Sequence, residues 1–223
     1  YSQVSDDERA VTVASAIADG KIIGYMVGRM EYGPRSLGAR SILGDARNVD
    51  TQSIMNLKIK FRESFRPFAP SVLEAYCQEY FGLKTDSPYM LLVAPVNEDR
   101  WIISDTVIPD DGDMLPLINR PRSDIPAVTH VDYSARIQTV SPAEKPDYYA
   151  VIKEFEKLTG YGLIVNTSFN VRGEPIVASP EDAYRCFMRT GIDMLVLENC
   201  ILIKNEQPEF PEDQDWKDTY AVD

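Results

Sequence analysis

The sequence predicts a mixed α/β fold. Three observations carry that expectation. Short apolar runs of strand character alternate with segments of helical periodicity. Several strand pairs are joined only by tight turns, which requires antiparallel neighbours and excludes a purely parallel order. Helix starts are marked by capping residues, and no internal repeat or low-complexity segment interrupts the pattern.

Taken in order, Ser5-Asp-Asp-Glu8 is a capping box ahead of the periodic run Ala10, Val11, Ala14, Ile17, Ala18, and Gly20 ends that helix. Ile22 to Val27 reads as a buried strand. Gly28 to Arg40 is a loop punctuated by Gly28, Gly33 and Gly38, and Ser41 to Gly44 is a short strand. Asp50 is expected to cap a helix reaching Lys58. Phe68 to Leu73 and Tyr89 to Val96 read as strands, and Asn97 to Asp124, rich in Pro and Asp, as a surface excursion. Ile125 to Val131 and Arg136 to Val140 are strand-like around a turn at Asp132-Tyr-Ser. A helix from Asp147 to Thr159 ends at Gly160, and Leu163 to Thr167 is a buried strand. Ser179-Pro-Glu-Asp opens a last helix, closed by Gly191. Met194 to Lys204 forms a hairpin turning near Glu198.

The 223 residues suffice to bury a core, and 44% of them are hydrophobic. No run approaches the roughly 20 apolar residues that cross a bilayer, no secretory signal opens the chain, and the first residue is Tyr1. These features point to a cytoplasmic piece of a longer polypeptide with no membrane partner. Cys77, Cys186 and Cys200 are odd in number and lack metal-type spacing, so reduced thiols are expected and no metal site. His130 is the sole histidine, which makes a Ser-His triad a poor explanation.

The net charge of −12 argues against nucleic acid. Residues 29–66, however, carry eight cations and four acids, a local +4, while residues 205–223 carry seven acids and one lysine. A basic cluster inside an acidic chain points to a small anionic ligand.

Four segments carry the chemistry. Gly33-Pro-Arg-Ser-Leu-Gly38 with Arg40 combines glycines, which let amides approach a phosphate, with Arg35 and Arg40, whose forks match phosphate oxygens. Lys58-Ile-Lys60-Phe-Arg62 is read as a strand placing its cations on one face, with Arg66 following; Phe61, Phe65 and Phe68 are expected to anchor it in the core. Asn166-Thr-Ser168-Phe-Asn170 sets small polar groups at a strand end, where α/β ligands commonly bind. Thr129 to Gln138 offers Arg136 as an anion contact, while Asp132 suits a turn and His130 a local hydrogen bond. Taken singly, each has an ordinary alternative: a solvated basic face, or a turn rich in Asn and Ser.

Together they are more specific. Gly28-Arg-Met-Glu-Tyr-Gly-Pro-Arg-Ser-Leu-Gly-Ala-Arg-Ser, Phe65-Arg-Pro-Phe-Ala-Pro, His130-Val-Asp, Arg136-Ile-Gln-Thr-Val and Asn166-Thr-Ser-Phe-Asn resemble, in this order, the C-terminal domain of the O-carbamoyltransferases of nodulation-factor and antibiotic biosynthesis. The resemblance implies a YrdC-like domain over residues 1–204, a mixed, twisted open sheet with flanking helices, followed by an acidic tail, 205–223. It implies formation of carbamoyl-AMP from ATP, with Mg²⁺, and carbamoyl phosphate. It also implies a partner absent from this chain, an N-terminal transferase domain of the actin-like superfamily that passes the carbamoyl group to a hydroxyl acceptor. Lys60-Phe-Arg62 and Ser168-Phe-Asn170 resemble the paired motifs of YrdC-like domains. Carried over by position, Lys60, Arg66 and Arg35 become the catalytic cations, and Arg40, Arg62, Arg136, Asn166, Ser168 and Asn170 the nucleotide and carbamoyl contacts. Ser36 and Tyr133 depart from the usual alanine and glycine without removing a charged group. The rival expectation is a YrdC-like module that binds nucleotide or anion without turnover; double-stranded RNA binding is opposed by the net charge.

Overall fold

The computed structural model describes residues 1–103 and 114–211. In chain order it contains β1 (Ser2–Gln3), α1 (Asp6–Ala18), β2 (Ile23–Met26), β3 (Arg40–Gly44), α2 (Thr51–Met55), β4 (Ala69–Leu73), α3 (Cys77–Phe81), β5 (Leu92–Pro95), α4 (Leu115–Asn119), β6 (Ser134–Val140), α5 (Pro146–Thr159), β7 (Leu163–Ser168), α6 (Pro180–Arg189), β8 (Met194–Leu197) and β9 (Cys200–Ile203). Part of the expected excursion, 104–113, and most of the acidic tail, 212–223, lie outside the described residues.

The strands form one mixed sheet in the order β1-β9-β8-β2-β3-β7-β4-β6-β5. β2 and β8 are parallel, as are β4 and β6, and the remaining neighbours are antiparallel. Alternation sends successive side chains to opposite faces. Leu43 of β3 and Ile164 of β7 meet Val13 and Ile17 of α1 and Val151 and Phe155 of α5. Ile42 and Val165 point the other way, to Met55 of α2 and Cys186 and Phe187 of α6. Each fully buried Ile or Phe contributes about 2 kcal/mol, so this two-sided core fixes the register of the central strands.

The capping signals work as the sequence suggests. Ser5 Oγ accepts from Glu8 N–H while the Glu8 carboxylate accepts from Ser5 N–H, and Ser179 and Asp182 repeat the arrangement on α6. Gly160, at φ 81°, ends α5. Gly38 is required twice over: its φ is 107°, and a Cβ there would stand 2.3 Å from the Tyr148 ring.

Four local expectations are corrected. Asp50 makes no side-chain cap, because it already has helical φ and ψ; Asn48 Oδ1 accepts its N–H instead. Lys58, Lys60 and Arg62 do not share a strand face. The helix runs on as a π-helical turn, Asn56–Lys60, and stops at Phe61 with φ 48°. The buried Asn56 amide causes this reversal: its Nδ2 donates to the carbonyls of Ser64 and Arg66, and its Oδ1 accepts from Arg62 Nε. Phe61 and Phe65 are consequently exposed, and only Phe68 of the three phenylalanines is core. Finally, Ile125 to Val131 holds a 3-10 turn, Pro126–Val128, rather than a strand, since Pro126 has no N–H for a ladder and Thr129 Oγ1 takes the Ile125 carbonyl.

Candidate functional site

β4, β6 and β7 end side by side, and the loops entering and leaving them converge above the sheet. Ala69 of β4 pairs with Asn166 of β7, so the chain entering β4 passes beside Ser168. Arg136 enters from β6. A cavity of about 370 Å³ opens here, lined by Arg35, Arg62, Arg66, Arg136, His130, Pro67, Phe68, Ala69 and Val93. Four of the predicted arginines therefore meet although they span a hundred residues of sequence, and among the described residues no carboxylate lines the cavity.

Arg62 is held by the Asn56 oxygen at 2.6 Å and lies over the Phe68 ring at 5.0 Å. Burial, with the charge of Arg66 second, lowers its pKa to about 10. Burial also lowers Arg136, and the charge of Arg35 adds to the effect. Four guanidiniums gathered around one cavity repel one another until an anion joins them.

Beside this cavity lies a second group. Lys60 is 4% exposed, and its Nζ donates to Ser168 O at 2.5 Å, Asn170 O at 2.8 Å and Asn170 Oδ1 at 2.9 Å. Burial lowers its pKa to about 7, against a rise from Cys186 and a further lowering from Arg62. Ser168 Oγ donates to Asn170 Oδ1 at 2.7 Å. The paired motifs read from the sequence thus interlock.

Two predicted contacts are placed elsewhere. Arg40 is buried, and its Nη1 donates to the carbonyls of Gly28 and Ala39, closing the neck of the glycine loop rather than lining the cavity. Asn166 is 1% exposed; its Nδ2 donates to Ser36 O and Gln138 Oε1. Both side chains direct these bonds inside the protein, while Arg40 Nε and Asn166 Oδ1 are buried without a partner among the described residues. Asp132 makes the expected turn, accepting from Ser134 N and Oγ. His130 sits 3.2 Å from Ser134 Oγ through Nδ1, and burial lowers its pKa.

A second cavity, of about 760 Å³, shares Pro67 and His130 with the first. Val49, Phe65, Leu117, Ile118, Pro121 and Val131 give it a largely apolar wall. It escaped the sequence because its lining comes from two distant stretches, 49–67 and 117–132, whose apolar residues show no shared pattern. Asn56 was missed too; its one signal was a polar residue inside an otherwise helical pattern.

The family model described as Carbamoyltransferase C-terminus matches residues 14–204. The chain belongs to this family. All nine predicted site residues fall inside the match to the carbamoyltransferase C-terminus. An uncharacterized protein of Synechocystis sp., sll1178, is 54% identical over 225 residues, which is 100% of this chain and 36% of the relative. Nodulation protein NolNO of Sinorhizobium fredii is 41% identical over 201 residues, 89% of this chain and 26% of the relative. The chain thus spans a minority of these relatives' length. Among solved structures, full-length HypF in its phosphate- and nucleotide-bound form superposes with a TM-score of 0.54 at 16% identity, over 88% of this chain and 22% of HypF. Sua5 of P. abyssi complexed with L-threonine gives 0.51 at 13%, over 91% of this chain and 54% of Sua5. The fold is the YrdC-like one expected from the sequence. Among the described residues no helix is long and apolar enough to cross a membrane, and no group of His, Cys, Asp and Glu is arranged to hold a metal ion.

Proposed function

We propose that this domain activates a carbamoyl group with ATP. Carbamoyl phosphate is hydrolysed to carbamate and phosphate, and a carbamate oxygen attacks the α-phosphorus of ATP. The bond from the α-phosphorus to the bridging oxygen breaks, pyrophosphate leaves and carbamoyl-AMP remains. The observation that carries this reading is the cavity where four arginines converge with no carboxylate among the described lining residues, set beside the Lys60-Ser168-Asn170 group. The HypF structure, in its phosphate- and nucleotide-bound form, supports it by analogy of fold.

The task for such a site is to bring anions together, so catalysis consists of positioning and charge neutralisation. Arg35, Arg62, Arg66 and Arg136 neutralise phosphate oxygens. Ser168 and Asn170, whose side chains are half-buried beside Lys60, present donors and acceptors suited to the carbamoyl amide. Lys60 holds these two residues in place and is near enough to feel the charge of Arg62. Among the described residues the cavity lining offers no carboxylate and does not fit a resident Mg²⁺; the ion arrives as MgATP. In a longer protein the product passes to an N-terminal transferase domain and from there to a hydroxyl acceptor.

ATP–pyrophosphate exchange tests the reading. Exchange that requires carbamoyl phosphate supports it. Tight ATP binding with no exchange assigns the chain instead to a nucleotide-binding module without turnover.

A further inference from the structure

The loop that carries Arg35 has little intrinsic restraint at its tip. Gly33 and Gly38 take φ values of 146° and 107°, open to glycine and few other residues, and Tyr32 to Arg35 are exposed. Arg35 faces the charge of Arg136, so an unrestrained loop would carry it away from the cavity. Three side chains oppose that motion. One oxygen of Glu31, Oε1, accepts from the N–H groups of both Leu37 and Ala39 at 2.7 Å. From beneath, Gln138 Nε2 donates to Leu37 O at 2.9 Å, and Asn166 Nδ2 donates to Ser36 O at 3.0 Å. Ser36, Leu37 and Ala39 thus each meet one of these side chains, and Gly38 N–H donates to Ser41 Oγ at 3.0 Å.

Gln138 lies two residues beyond Arg136 on β6, so both leave the same face of the strand. One strand therefore supplies a cation to the cavity and an anchor to the loop bearing a second cation. Burial fixes both amides: Gln138 and Asn166 are each 1% exposed and joined to one another at 2.8 Å.

We propose that Glu31 is a positioning residue which, with Gln138 and Asn166, clamps the loop so that Arg35 is aimed into the anion cavity before ligand arrives. The proposal rests on the reading of that cavity as the phosphate site. Its advantage is entropic: a clamped arginine loses less freedom when it meets phosphate.

The test measures MgATP affinity by calorimetry in Arg35→Ala, Glu31→Ala, Glu31→Gln and the double variant Glu31→Ala/Arg35→Ala, with thermal unfolding of each. Glu31→Gln keeps a carbonyl oxygen able to accept both N–H bonds, and it binds with close to parent affinity. Glu31→Ala and Arg35→Ala each weaken binding, by about tenfold. The double variant binds no worse than Arg35→Ala, because Glu31 acts through Arg35. Parent affinity in Glu31→Ala with weakened Arg35→Ala overturns the clamp and leaves the phosphate site standing. So do additive losses in the double variant, which would give Glu31 a separate effect. Parent affinity in Arg35→Ala overturns both.

Discussion

Lys60 Nζ lies 2.9 Å from Asn170 Oδ1, and the same ammonium also meets the backbone carbonyls of Ser168 and Asn170. A buried cation tying down a strand end has structural work as well as any contact with ligand. Lys60→Ala leaves the Asn170 carbonyl without this donor, at a cost of about 1–3 kcal/mol, while the Ser168 carbonyl keeps the Asn170 N–H at 3.1 Å. Urea denaturation should show a clear fall in midpoint, together with loss of ATP binding. A lysine on an exposed strand face would matter little to stability; Lys60 differs because it is enclosed.

Arg66 behaves differently. Its side chain is 48% exposed, and its contact with Glu63 is 3.9 Å long, an exposed pair of little energetic weight. Arg66→Ala should leave the unfolding midpoint near that of the parent and weaken ATP binding by about 1–3 kcal/mol, the scale of a charge-assisted hydrogen bond. Calorimetric titration and thermal unfolding of one protein sample separate the two quantities. Parent-like ATP affinity would show that the arginine is only solvated.

The contrast between Lys60 and Arg66 shows what the sequence could and could not disclose. Arg35, Arg62, Arg66 and Arg136 were legible as candidate anion contacts because residue type and order along the chain single them out. Their convergence also follows from the register that pairs Ala69 with Asn166. The local conformation of residues 56–66 was not legible. Alternating cations read as a strand, whereas the reversal depends on Asn56 reaching carbonyls eight and ten residues ahead. Glu31 was hidden for a similar reason: an acid within a basic loop looks like a countercharge, and only the structure shows it accepting two amides. The central strands were easier, since β2, β3 and β4 are buried throughout and, Arg40 apart, read as continuous apolar or small-residue runs.

The depressed pKa of Lys60 gives a pH signature. Its folded value is about 7, against 10.5 for an ordinary lysine, and burial is the main cause. Between these values the unfolded chain binds more protons than the folded one, so stability from this group rises with pH. The penalty is complete below about pH 7 and gone above about pH 10.5. Urea midpoints measured at pH 7 and pH 9 should therefore rise in the parent relative to Lys60→Met. Equal pH slopes in the two proteins would show that Lys60 titrates normally.

Gly38→Ala should be among the more damaging single-methyl changes. The backbone angle of 107° disfavours any side chain, and the new carbon would fall 2.3 Å from the Tyr148 ring. Tyr148 is fully buried, so its ring cannot swing into solvent. A loss of about 2 kcal/mol or more is expected from strain and overpacking. ATP affinity should fall with it, because Gly38 belongs to the loop that carries Arg35. Full affinity and an unchanged melting midpoint would contradict the packing argument.

Ser168 is the last question, because the structure places beside it a partner that the sequence did not reveal. Lys60 Nζ stands 3.4 Å from Ser168 Oγ, and a lysine lowered to about pH 7 is the kind of group that activates a serine elsewhere. The geometry argues against that use. The Ser168 hydroxyl donates to Asn170 Oδ1 at 2.7 Å, while the Lys60 head is committed to three shorter bonds. A serine whose proton already points at an amide oxygen is set to recognise a ligand by neutral hydrogen bonds. Ser168→Ala should therefore slow ATP–pyrophosphate exchange by about tenfold or less, the scale of one neutral hydrogen bond. Ser168→Cys, incubated with ATP and carbamoyl phosphate, should show no added mass. A stable increase of one carbamoyl group on the peptide containing residue 168 would establish covalent catalysis and make Lys60 its base.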